Sequence, residues 1–148
     1  MSIKTKISFY CYLLLAILCA GMSSFYILTS RILPYHEEVL GVSWDALQPG
    51  FQLLLISFVK GGGALALAST IALLIMLFIP FRRGERWARW AIPAFQLPSL
   101  IALNYAPINI AIKTSAHPPL IIFFIGDLLF LAGFIFSLDF GKSKGQGA

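Results

Sequence analysis

Four long apolar runs, divided by prolines and clusters of basic residues, constrain this chain more than any other feature. They cover residues 7–28, 51–79, 91–112 and 120–140. About 20 apolar residues carry a helix across the hydrocarbon core of a bilayer. In lipid every backbone polar group has to be satisfied inside the protein, and a helix does this within one segment. The chain therefore reads as all-α, an integral membrane four-helix bundle, with a single transmembrane domain over residues 1–148 and a tail at 141–148.

Composition agrees. Hydrophobic residues make up 59% and charged residues 11% of the 148, against roughly 45–50% and about 25% in soluble domains. A soluble fold this apolar would leave large apolar patches in water. The formal charge of +5 does not indicate nucleic acid, because the basic residues sit in short clusters between apolar runs. That is the pattern of orientation signals. Lys4, Lys6, Arg82, Arg83, Arg86, Arg89, Lys142 and Lys144 would share one side, and only Arg31 and Lys113 the other. Both termini are thus expected in the cytoplasm, with Trp87 and Trp90 as interfacial anchors.

Lys4 and Lys6 ahead of an apolar run resemble the start of a signal peptide. The run continues to Leu28, too long for a signal core, so an uncleaved span is expected. Cys11 and Cys19 are eight residues apart in it, roughly 12 Å along a helix, too far for a mutual disulfide. No C-x-x-C, phosphate loop, dinucleotide fingerprint or nucleophile elbow occurs. The second run is longer than a bilayer requires and should tilt or protrude, with Pro80 closing it. Pro93, Pro98 and Pro107 predict a kinked or partly unwound third span. Residues 31–50 are too apolar for a free loop and should cap the bundle or lie on the membrane, with a helix start at Ser43. Small residues at four-residue spacing (Ala16, Ala20 and Ser24; Gly62 and Ala66; Ala64, Ala68 and Ala72), and a similar face of Gly126 with Ala132 or Gly133, would let helices pack closely.

Ionisable groups are costly in lipid, so Lys60 and Asp127 stand out. Counted from the non-cytoplasmic ends of their spans they lie roughly 15 and 12 Å deep, which makes an ion pair between spans two and four reasonable. Asn104, Tyr105 and Asn109 on span three fall in the same half. These five residues are the candidate ligand-binding set, and the opposite half of the bundle reads as nearly pure hydrocarbon. His36, Glu37, Glu38 and His117 are candidates in the outer loops, where a histidine beside a carboxylate could carry a proton. Their spacing matches no zinc pattern, so no metal and no cofactor is expected.

The hairpin Gly84-Glu85-Arg86-Trp87-Ala88-Arg89-Trp90-Ala91 resembles that of small four-helix bacterial inner-membrane proteins of uncharacterised and DoxX-like type, in which a G-x-R-W-A-x-W segment joins spans two and three. The resemblance covers residues 80–91. It implies the four-helix topology and a bacterial inner membrane, and it carries over no activity and no catalytic residue. In outline, four helices around a polar pocket are also similar to sterol-isomerase-like membrane proteins, without their motifs.

Three functional classes fit these residues. One is a protein that binds or processes an amphipathic lipid-like molecule, with Lys60 facing an anionic head. A second is a non-enzymatic accessory subunit, or a homodimer, packing beside a larger membrane complex through its small-residue faces. The third, a small transporter, is the least suited, because polar residues would have to lead to both sides.

Overall fold

A computed structural model describes residues 2–138. Among them every regular element is helical: α1 (Ile3–Leu28), α2 (Pro34–Leu40), α3 (Pro49–Met76), α4 (Ala88–Lys113) and α5 (Leu120–Ser137). Four helices, α1, α3 with its continuation to Phe81, α4 and α5, are long and apolar enough to cross a membrane. Their outward side chains support that reading. Ile101, Leu128, Ile121, Phe58 and Leu65 are between 61% and 76% exposed, a surface that suits lipid and not water. The tail at 141–148 lies outside the described residues, as does the end of the fourth predicted span.

The helix starts follow local chemistry. Ser2 Oγ accepts from the Thr5 N–H at 3.2 Å and caps α1. Pro34 and Pro49 each occupy the first turn of their helices, where a missing N–H costs nothing. Ser43 starts only a 3₁₀ turn, Trp44–Ala46, and α3 begins at Pro49. Gln52 Nε2 donates to the Trp44 carbonyl at 2.8 Å and ties that turn to α3.

The second span runs one residue past Pro80, and of the two alternatives for the third span, kinked or partly unwound, the second does not hold. Pro80 does not end the second span. The chain passes through a π turn, Leu77–Phe81, in which Arg82 N–H reaches back to the Leu77 carbonyl at 3.3 Å. Proline leaves one carbonyl unpaired, and a wider turn re-pairs the backbone one residue later. The third span is not unwound: α4 runs unbroken from Ala88 to Lys113 with Pro93, Pro98 and Pro107 inside it. Each proline removes one hydrogen bond, and the rest of the ladder holds the helix.

α1 is the spine. It packs closely along α3 and α5, while α4 touches both of those more sparsely. Glycines set the close crossings. A Cβ on Gly63 would lie 2.9 Å from Tyr26 Cβ and 3.1 Å from the Ser23 carbonyl. One on Gly133 would lie 2.8 Å from the Tyr12 ring. Tyr12, Leu15, Leu73, Leu77, Phe81 and Ile92 form the fully buried core, toward the end that carries the 82–87 hairpin.

That end is not pure hydrocarbon, as the sequence suggested. Thr5, Ser8 and Ser137 are buried there. They are small hydroxyls with near partners: Ser8 Oγ donates to the Gly133 carbonyl at 2.6 Å, Ser137 Oγ to the Phe134 carbonyl at 2.7 Å, and the Thr5 hydroxyl meets that of Ser2 at 2.8 Å.

The opposite end is closed by α2. Its Tyr35 is buried, as is Ile32 just before it. Glu38 Oε2 accepts from the His117 backbone N–H at 3.0 Å, so α2 is linked to the connection between α4 and α5.

Candidate functional site

Because α4 packs loosely, the four long helices leave a cavity of about 250 Å³ between them, in the half nearer α2. Leu15, Leu18 and Met22 of α1, Phe58, Val59 and Ala66 of α3, Leu100 and Leu103 of α4 and Ile122 and Phe123 of α5 give it mainly apolar walls. Its polar groups are hydroxyls and amides: Ser23, Tyr26, Ser69, Thr70, Gln96, Ser99 and Asn104, with Tyr35 and His36 at the α2 end.

At the floor, α3 and α4 are joined by polar contacts. Gln96, buried, donates from Nε2 to the Ser69 carbonyl at 3.1 Å, and the Ser69 and Ser99 hydroxyls meet at 3.1 Å. Thr70 closes on its own helix through the Ala66 carbonyl at 2.8 Å. Nearer to α2, Asn104 Nδ2 donates to the Leu100 carbonyl at 2.9 Å and to Asp127 Oδ1 at 3.0 Å. Both partners are acceptors, so the amide nitrogen must face them. The amide oxygen is left buried and without a partner, as is Ser23 Oγ. Two residues of one apolar wall that each carry a buried, unpartnered polar atom are unusual, since buried polar groups are nearly always paired.

Between α3 and α4 the wall is incomplete. Phe58 and Gly62 on one side and Ala102 and Ala106 on the other line the cavity and are also exposed at the outer surface of the helices. Above the Ser69–Ser99 contact the two helices therefore flank a sideways slot with small residues on both edges.

α2 forms the lid. His36 Nδ1 accepts from the Leu33 N–H at 3.3 Å, which leaves Nε2 carrying the ring proton in the neutral form. Its ring lies 4.0 Å from that of Tyr35, centroid to centroid. Burial holds the imidazole below its ordinary value, and burial together with Tyr26 pushes the Tyr35 phenol up. Glu37 faces away. It takes Arg31 Nη2 at 2.8 Å and the Trp44 N–H at 3.0 Å, and the Arg31 contact, then the Trp44 bond, holds its carboxyl below the usual range.

Of the residues singled out in the sequence, the cavity wall contains Asn104 and His36. Asp127 touches the site only through Asn104. Lys60 is exposed on α3 and makes no ion pair with Asp127, so the expected pair is corrected. The depths matched, but α3 and α5 pack on different sides of α1. Tyr105, 68% exposed, points away from the cavity, and Asn109 closes on the Tyr105 carbonyl at 2.8 Å. Glu38 and His117 are joined through the His117 backbone, and the His117 side chain is exposed. Among the described residues no three His, Cys, Asp or Glu side chains gather as a metal site.

Sequence reasoning passed over Ser23, Tyr26, Ser69, Thr70, Gln96 and Ser99. The signal was present as periodicity: Gln96, Ser99, Leu103 and Pro107 recur at helical spacing, as do Phe58, Gly62, Ala66 and Ser69. No family model, curated protein or solved structure matches this chain.

Proposed function

We propose that this chain is a multi-pass protein of a bacterial inner membrane, with both termini in the cytoplasm and α2 on the outer side, that binds an amphipathic lipid-like molecule in the cavity beneath α2. The observation that carries this reading is the pairing of two unpartnered buried polar atoms, Asn104 Oδ1 and Ser23 Oγ, with apolar walls. Ligand sites have this character: apolar surface for the body of the molecule and a few polar groups for its head. The volume, about 250 Å³, is slightly below the usual range of roughly 300–1,000 Å³, which suits a head and the first part of a chain. The hairpin resemblance and the distribution of basic residues support the membrane and the orientation.

Gly62 provides the test. A Cβ there meets nothing within 4 Å, and the residue lines the cavity, so the side chain of Gly62→Leu starts into open space at the cavity edge. A ligand that binds only the folded protein raises its melting temperature. Stripping lipid from the wild type should lower the melting temperature, and adding back a membrane lipid extract should restore it. Gly62→Leu should respond to neither step. Equal responses in both proteins would remove the cavity from the account.

A second reading, an accessory subunit or homodimer, is supported by a different surface. Lys60 shares an exposed stripe of α3 with Ala64 and Ala68. A neighbouring helix bearing a carboxylate would suit that stripe. Lys60→Met should then weaken co-purification with the partner and leave lipid binding unchanged.

A further inference from the structure

Resting on the reading that the cavity holds an amphiphile, we infer that its ligand has an uncharged head carrying a hydroxyl group, a long-chain or isoprenoid alcohol in chemical class, and enters sideways from the bilayer between α3 and α4. Three observations carry this inference. The first is the charge inventory of the wall. No Lys, Arg, Asp or Glu lines the cavity. Lys60 is on an outer face, and the Arg31 guanidinium is engaged by Glu37 at 2.8 Å. An anionic head would enter a largely apolar space with no counter-charge, a cost that buried ions avoid only when paired. The same argument excludes a cationic head, because Asp127 is not in the wall.

The second observation is what remains unsatisfied. Asn104 Oδ1 is an acceptor without a donor, and Ser23 Oγ can both donate and accept. A ligand carbonyl or ether could satisfy only the serine. A hydroxyl can donate to an amide oxygen and accept from a hydroxyl, so it answers either deficit. The neutral His36 Nε2–H and the tyrosine hydroxyls at the α2 end offer further uncharged partners.

The third is the opening. Phe58, Gly62, Ala102 and Ala106 edge a slot that faces the lipid side of α3 and α4. α2 closes the other approach with the buried Tyr35 and its link from Glu38 to the α4–α5 connection. A molecule already dissolved in the bilayer reaches the slot without crossing water. Its chain stays in the slot and in lipid, while the head occupies the cavity.

The experiment uses two photoreactive probes with the same diazirine- and alkyne-bearing chain, one a free alcohol and the other its phosphate monoester. Each is incubated with the full chain in vesicles of neutral lipid, irradiated, and the crosslinks are mapped by peptide mass spectrometry. The alcohol should label the α3 segment around Phe58 and Gly62 and the α4 segment around Ala102 and Ala106 several-fold more than the phosphate. Unlabelled long-chain alcohol should compete, and Gly62→Leu should lose the labelling. Equal or stronger labelling of these segments by the phosphate, still lost in Gly62→Leu, would overturn the uncharged head while leaving a ligand-binding cavity in place. Labelling by the alcohol that is confined to α2 and spares α3 and α4 would overturn the lateral entry. Labelling of these segments that Gly62→Leu leaves unchanged would overturn both the inference and the reading it rests on, since the probe would then be marking the lipid-facing surface.

Discussion

Gly63 and Gly133 are places where a single hydrogen atom is the side chain the fold requires. A methyl group on either meets Tyr26 or the Tyr12 ring at 2.9 Å or less. Gly63→Ala and Gly133→Ala should each lower stability by about 1–3 kcal/mol, the usual cost of overpacking. Gly61→Ala, where a Cβ meets nothing, should be neutral or stabilising by up to about 1 kcal/mol from helix propensity. Thermal unfolding in detergent checks all three. A uniform gain at the three glycines would show that helix propensity and not close approach is at stake. Lys60 and Asp127 give the residue-scale test of pairing. Their substitutions, Lys60→Met and Asp127→Asn, should add within about 0.5 kcal/mol in a double-mutant cycle, because the charges are not in contact; a larger coupling would restore the ion pair. Counting residues from a span's end gives depth, but the facing direction turns by about 100° per residue. Gly126 lines the cavity and its neighbour Asp127 does not.

At the scale of elements, α2 and α4 carry the functional argument, and they were legible to different degrees. The four long helices follow directly from the apolar runs. Their ends at prolines did not, because Pro80 is absorbed by a π turn and the α4 prolines by an otherwise intact ladder. Gln96 and Ser99 on α4 went unremarked because attention to charge in lipid overlooks groups that cost less to bury. The lid was expected from the apolar character of residues 31–50, and its chemistry makes a pH prediction. His36 is held neutral, facing Tyr35 and Tyr26; on its own helix Glu37 is engaged by Arg31, and Glu38 by the His117 N–H. With the imidazole depressed below its ordinary 6.5, the undocked state binds more protons, so docking of α2 is fully supported above that pH and weakens as pH falls below it. Glu37, also depressed, contributes above its ordinary 4.5 and loses its contribution only at lower pH. The protection of the amides over 35–40, measured relative to their intrinsic exchange rate at each pH, should therefore fall between pH 7.5 and about 5.5 in the wild type. It should change little in His36→Gln, which keeps an acceptor for the Leu33 N–H. An identical response in the variant would place the titration elsewhere.

For the whole molecule, the order of packing matters more than the number of helices. α1 holds α3 and α5, and α4 leans on both without closing the centre. The cavity is a consequence of that arrangement, and hydroxyl and amide groups are placed around it. The topology is directly testable. In a chain with Cys11 and Cys19 replaced by alanine, Ser43→Cys should react with a membrane-impermeant maleimide from outside intact cells. Glu85→Cys should react only after lysis. Labelling of both from one side would remove the four-span arrangement. The central claim is that the cavity beneath α2 is an occupied ligand site, and native mass spectrometry of protein extracted gently from its own membrane tests it most directly. The wild type should carry a bound mass of one lipid-like molecule that survives detergent removal, and Gly62→Leu, equally folded by its melting curve, should lack it. A wild type without that mass, or the same mass on both proteins, would contradict the account.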